Sequence, residues 1–80
     1  MKTAVITGAS SGIGLAALAE LTLKGFRVIG IGRDQSRCEQ AKQKILSDQP
    51  NANITFLYAD LMQQREVERV AAEIAQILAE

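Results

Sequence analysis

Short β-branched runs alternate along this chain with longer stretches of helical periodicity, and this order restricts the fold more than any other feature. Residues 2–7 (Lys-Thr-Ala-Val-Ile-Thr) are an apolar run that stops at Gly8, as a buried strand does. Residues 12–24 place Ile13, Ala17, Leu18 and Leu21 at helical spacing. They end on Lys24-Gly25, a basic last turn followed by a helix-stopping glycine. Residues 26–31 read as a second strand. A second helix, capped by Asp34 or Ser36, runs to about Asp48, with Cys38, Ala41, Ile45 and Leu46 on one buried stripe. Pro50, with Asn51 and Asn53 beyond it, marks a loop. Residues 54–59 form a third strand and residues 63–79 a last helix. Val67, Val70, Ala71, Ile74, Ile77 and Leu78 share one face of that helix, and Glu66 and Arg69 make a weak i, i+3 pair on the other. The order β-α-β-α-β-α calls for parallel strands joined by helical crossovers. Right-handed crossovers give strand order 3-2-1, with the first two helices on one face and the third on the other. The predicted class is α/β, a partial Rossmann-like three-layer fold.

Composition excludes several functions. Nine basic and nine acidic residues cancel, which argues against a protein whose main task is gripping nucleic acid or an anionic membrane. One Cys and no His remove disulfide staples, a structural metal and a Ser-His nucleophile. Cys38, on an apolar helix stripe, reads as core packing. The opening apolar run breaks at the Gly8–Gly12 segment before a signal-peptide core is complete, and no stretch reaches membrane-spanning length. A cytoplasmic location is expected. The 80 residues hold at most one small domain, short of the usual stabilising devices.

Chemistry concentrates in Thr7-Gly8-Ala9-Ser10-Ser11-Gly12-Ile13-Gly14, where strand 1 turns into helix 1. A phosphate there meets unpaired backbone N–H groups and the positive end of the helix dipole. Gly8 suits a tight turn, Gly12 a close backbone approach to a diphosphate, and Gly14 close packing of helix on sheet. Ser10 and Ser11 add hydroxyl donors. The spacing G-x-x-x-G-x-G differs from G-x-G-x-x-G, and no Gly-Lys-Ser/Thr follows as a P-loop needs.

Thr-Gly-Ala-Ser-Ser-Gly-Ile-Gly resembles the signature of the short-chain dehydrogenase/reductase family. The likeness continues through helix 1, Lys24-Gly25-Phe26, strand 2 and Ala59-Asp60-Leu61, so all 80 residues resemble the N-terminal portion of that family. The resemblance implies a dinucleotide cofactor. Gly8, Gly12 and Gly14 would line its diphosphate, with the Ile13 backbone donating. Asp60, with Leu61 beside it, would face the adenine, where a carboxylate can accept from the exocyclic amine. As a purely structural role, Asp60 could cap the last helix. Strand 2 ends Ile31-Gly32-Arg33-Asp34. Counting about 20 residues from the last glycine points to Asp34 as a ribose-binding acid, but the family's acidic position aligns with Gly32, which carries no charge. Arg33 follows with a planar fork suited to a 2′-phosphate. NADP is therefore expected over NAD, although Ser11 stands where NADP-preferring members often carry a basic residue. Asp34 is then a helix cap.

The family's chemistry also needs a Tyr-x-x-x-Lys pair, a Ser and an Asn-Ala-Gly segment. Met62 stands four positions after Tyr58, the only tyrosine, so the pair is absent from these residues. Residues 1–80 therefore read as the N-terminal part of one NAD(P)-binding Rossmann domain, inactive in isolation. The alternative is a non-catalytic nucleotide-binding or interaction module that self-associates through the open edge of strand 1. A flavodoxin-like or receiver-like domain would lack this glycine spacing.

Overall fold

The computed structural model describes residues 2–80. The elements are β1 (Thr3–Thr7), α1 (Gly12–Leu23), β2 (Arg27–Gly32), α2 (Gln35–Asp48), β3 (Ile54–Tyr58) and α3 (Gln64–Ala79). β2 lies between β1 and β3, and both pairings are parallel. The expected fold class and strand order are thus present. The strands sit within a residue or so of their expected bounds, β2 being displaced toward its carboxyl end.

Side-chain alternation assigns the layers. Val28, Gly30 and Gly32 of β2 and Ile54, Phe56 and Tyr58 of β3 face α1 and α2. There Ala9, Leu18, Val28, Cys38, Ala41, Ile45, Ile54 and Phe56 form the main core. The opposite face carries Ile31 and Leu57, which with Ala59 receive Val70 and Ile74 of α3. Gly30 makes room for aromatic packing: a Cβ there would lie 2.8 Å from the Phe56 ring.

The phase of α1 differs from the expected one. Ile13, assigned to the buried stripe, is 90% exposed. Leu18 is buried and Leu21 is packed against the core, as that spacing predicts, but Thr22 is buried too, with Leu15 and Ala19 packed partly behind it. Gly14 supplies the reason. A Cβ on Gly14 would collide with the Gly8 carbonyl, so the helix turns its glycine toward the strand and Ile13 is rotated off that face. Thr22 satisfies its hydroxyl within the helix by donating to the Ala19 carbonyl at 2.9 Å. Lys24 is the C-cap rather than part of a basic last turn, and Gly25 follows at φ +86°. The cap of α2 is Asp34, not Ser36: its carboxylate accepts from the Arg37 N–H at 3.2 Å.

Only Val70 of the α3 apolar set is buried, and Val67 and Leu78 remain about half exposed. Three strands offer α3 too narrow a platform to cover the whole stripe. On the same face, Val5 of the edge strand β1 is 45% exposed. Among the described residues no helix is long and apolar enough to cross a membrane.

Candidate functional site

The carboxyl ends of all three strands open onto one cleft of about 580 Å³, within the range of small-molecule sites. Its walls come from Gly8 and Ser10 after β1, Gly32, Arg33 and Asp34 after β2, and Asp60, Leu61 and Met62 after β3. Five of the sequence-predicted residues, Gly8, Ser10, Arg33, Asp60 and Leu61, therefore converge although they span most of the chain. The glycine turn is tied to the sheet by the Ala9 N–H, which donates to the Ile31 carbonyl at 3.3 Å. The third wall is tied by the Ala59 N–H, which donates to the Gly32 carbonyl at 3.0 Å.

The three loop glycines have different physical grounds. Gly8 (φ +62°) and Gly12 (φ +59°) occupy the left-handed region, where a side chain is strained. Nothing lies within 4 Å of where their Cβ atoms would be, so that space is open to a ligand. Gly14 is required by contact, as the helix rotation already indicates. Ser11 is the N-cap of α1, yet its side chain makes no capping bond. The first-turn N–H groups of α1 consequently keep no side-chain acceptor, and the positive end of the helix stays available to an anion. The start of α2 differs, because Asp34 already occupies it. The cradle fits a diphosphate.

Not every predicted residue faces the main cleft. Ser11 lines an adjoining depression with Ser10, Leu15 and Arg37. Gly12 borders a groove between α1 and α2, and Ile13 projects outward.

Arg37 went unforeseen. It lines both the main cleft and the depression at Ser11, held loosely by Asp34 with Nε 4.0 Å from Oδ2. Its side chain thus brings positive charge from α2 to the side of the loop where Ser11 supplies none. Its helical position, one turn into α2 beyond the β2 terminus, was the available signal. Arg33 is exposed and has no hydrogen bond or ion pair among the described residues, so its guanidinium is free to bind an anion.

Asp60 does not cap α3, whose N-cap is Gln63. Its Oδ1 instead accepts from the Met62 N–H at 3.1 Å, and its carbonyl from the Gln63 N–H at 3.1 Å. The turn presents the carboxylate at the rim of the cleft. Glu66 and Arg69 are more than a weak surface pair. Arg69 Nε lies 3.2 Å from Glu66 Oε2, Nη1 lies 2.6 Å from Glu73 Oε1, and Nη2 donates to the Tyr58 carbonyl at 2.6 Å. The Arg69 bond holds the Glu66 carboxyl below the usual range, assisted by the Asp60 N–H. Glu66 and Glu73 hold the Arg69 guanidinium more firmly protonated.

Cys38 and Tyr58, the thiol and the phenol nearest this end of the sheet, do not line the cleft. Burial, and after it the Asp34 carboxylate, pushes the Cys38 thiol up, away from reactivity. Burial likewise raises the Tyr58 phenol, followed by Glu39 and Cys38. Among the described residues no group of metal ligands forms.

The comparisons with known proteins agree on one family. A family model described as short chain dehydrogenase matches residues 2–80. The chain is 33% identical over 73 residues to human retinol dehydrogenase 13, covering 91% of this chain and 22% of that protein. It is 42% identical over 65 residues to the chloroplastic short-chain dehydrogenase TIC 32 A of Brassica napus, covering 81% and 20%. Among solved structures, an NADPH dependent reductase involved in bacilysin biosynthesis superposes with TM-score 0.91 at 28% identity, covering 99% of this chain and 31% of that one. An NADPH-bound short chain oxidoreductase from Pseudomonas aeruginosa PAO1 gives TM-score 0.78 at 34% identity, covering 90% and 28%. The chain spans about a fifth of the length of these curated relatives.

Proposed function

The chain belongs to the short chain dehydrogenase family, and from that premise we propose that residues 1–80 are the adenosine- and diphosphate-binding part of an NADP-dependent oxidoreductase. One observation carries the reading: the ends of three strands bring Gly8, Arg33 and Asp60 into a single cleft beside an uncapped helix N-terminus. In this reading the diphosphate rests on the α1 N-terminus at Gly8, Ser10, Ser11, Gly12, the Ile13 backbone and Gly14. The adenine lies against Leu61, with its exocyclic amine donating to Asp60. Arg33 takes the 2′-phosphate of the adenosine ribose, aided by Arg37 across the cleft. The NADPH-dependent and NADPH-bound neighbours support this cofactor. When bound, the cofactor supplies hydride exchange with a carbonyl or alcohol. The Ser and Tyr-x-x-x-Lys that carry that chemistry in the family are not among these 80 residues, so residues 1–80 bind and orient without moving a proton.

Arg33→Glu tests the assignment. An exposed charge-assisted bond, discounted for solvent screening, is worth about 1.5 kcal/mol, or about tenfold in affinity. Titration should show NADP binding weakened about tenfold or more and NAD binding little changed. Equal loss for both cofactors would remove the NADP assignment.

A second reading is favoured by the exposed Val5 on the unpaired edge of β1. A nucleotide-binding module could use that edge to pair with a second copy of itself.

A further inference from the structure

We propose that Glu66 and Arg69 are positioning residues that hold the Asp60 carboxylate at the adenine-binding wall, and so set base selectivity without touching the nucleotide. The inference rests on the cofactor reading above. Its evidence is the corner where β3 passes into α3.

Asp60 lies in a five-residue connection, 59–63, that would be loosely held by packing alone. Of the neighbouring α3 stripe only Val70 is buried, and Leu61 and Met62 are exposed. Polar contacts fix the corner. Arg69 reaches back eleven residues to donate to the Tyr58 carbonyl, the last of β3, at 2.6 Å. The same guanidinium holds Glu66 through Nε at 3.2 Å and Nη2 at 3.3 Å. Glu66 Oε1 in turn accepts from the Asp60 N–H at 3.5 Å. Glu73 completes the set from the next turn, at 2.6 Å from Nη1. One arginine thus joins the end of the strand, the first three turns of α3 and, through Glu66, the backbone of Asp60. A planar fork with five donors can serve these acceptors at once, whereas an ammonium of similar reach cannot.

The side chain of Asp60 follows from this backbone. Oδ1 is committed to the Met62 N–H at 3.1 Å, which leaves Oδ2 for a ligand. Its direction into the cleft depends on how the Asp60 backbone is held. Releasing Glu66 frees the amide and lets the turn rotate. That should cost recognition of the base more than recognition of the phosphates, which bind at the far wall.

The test is base selectivity in the full chain, with ADP and IDP as probes. They differ at position 6 of the purine, an amine in one and a carbonyl in the other, so a carboxylate acceptor favours ADP. A charge-assisted bond should give wild type about a tenfold preference for ADP, and Asp60→Ala should abolish it. Glu66→Ala is expected to reduce the ratio to about twofold with IDP affinity nearly unchanged. Glu66→Gln, which keeps an oxygen for the Asp60 N–H, should retain most of it. Should Glu66→Ala fail to fold, Arg69→Lys reads the same corner and is expected to lower the ratio. The proposal is overturned if the Glu66 or Arg69 variants weaken ADP and IDP by one common factor, or leave the ratio at its wild-type value. Loss of all nucleotide binding by wild type, or an Asp60→Ala ratio equal to wild type, would instead refute the cofactor reading beneath it.

Discussion

Gly32, at the end of β2, is where the wall of the cleft meets the buried packing of α2. Gly32 lacks left-handed backbone, so alanine is conformationally permitted and the entropy of the unfolded chain alone would make Gly32→Ala stabilising by about 0.5–1 kcal/mol. The structure reverses the sign. A Cβ at Gly32 collides with the Cys38 Sγ, with Ser10 Cβ next at 3.7 Å. Cys38 is fully buried on α2, so the sulfur has nowhere to swing, and overpacking of this kind costs about 1–3 kcal/mol. Net destabilisation of about 1–2 kcal/mol is expected, equivalent to a fall in Tm of about 4–16 °C for a domain of this size. Cys38→Ala alone should cost about 1 kcal/mol through the lost buried contact. In the double variant the new methyl fills the space the sulfur leaves, so stability should return to within about 0.5 kcal/mol of wild type. That is a coupling of about 1.5–3 kcal/mol. Thermal melts followed by circular dichroism on the four proteins measure it. A Gly32→Ala protein melting at or above wild type, or a double variant whose losses simply add, would refute the reasoning.

Two further outcomes follow from the site and the edge. The Glu66 carboxyl is held below its ordinary value of 4.5 by Arg69 and the Asp60 N–H. Its contribution is therefore complete above that value and is lost as pH falls through the lower folded value. NMR titration of the Glu66 side-chain carboxyl carbon should show its midpoint below that ordinary value, and Arg69→Ala should move it back up. Val5→Lys places a charge on the open β1 edge and should shift any self-associated chain toward monomer in sedimentation; a wild type that is monomeric at all concentrations would count against pairing through that edge.

Glycine positions and alternating periodicity made most of the architecture legible. The strand order, the parallel pairing and the glycine turn all depend on local pattern and the handedness of crossovers, whereas Arg33 and Asp60 were singled out by the family resemblance. What remained hidden was set by contacts between different elements and the loops that join them. The phase of α1 could not be read from its apolar residues, because leucines, isoleucine and alanines lie around most of the helix; the Gly14–Gly8 contact decides it. Arg37 looked like an ordinary surface cation until the α2 N-terminus was placed beside the Ser11 turn. Glu66 and Arg69 carried the spacing of a solvated pair, and their reach to Tyr58 and Asp60 depends on where α3 leaves the sheet.

By itself, then, the sequence determined a β-α-β-α-β-α chain with a glycine turn between its first strand and helix, since hydrophobic periodicity and left-handed glycines are local properties. Tertiary structure alone decided which cations line the cleft, which carboxylate is anchored, and which apolar surface stays open. Those depend on how separate elements are brought together, as when β1 and β3 place Gly8 and Asp60 on one cleft. No spacing along the chain encodes them until the sheet is assembled.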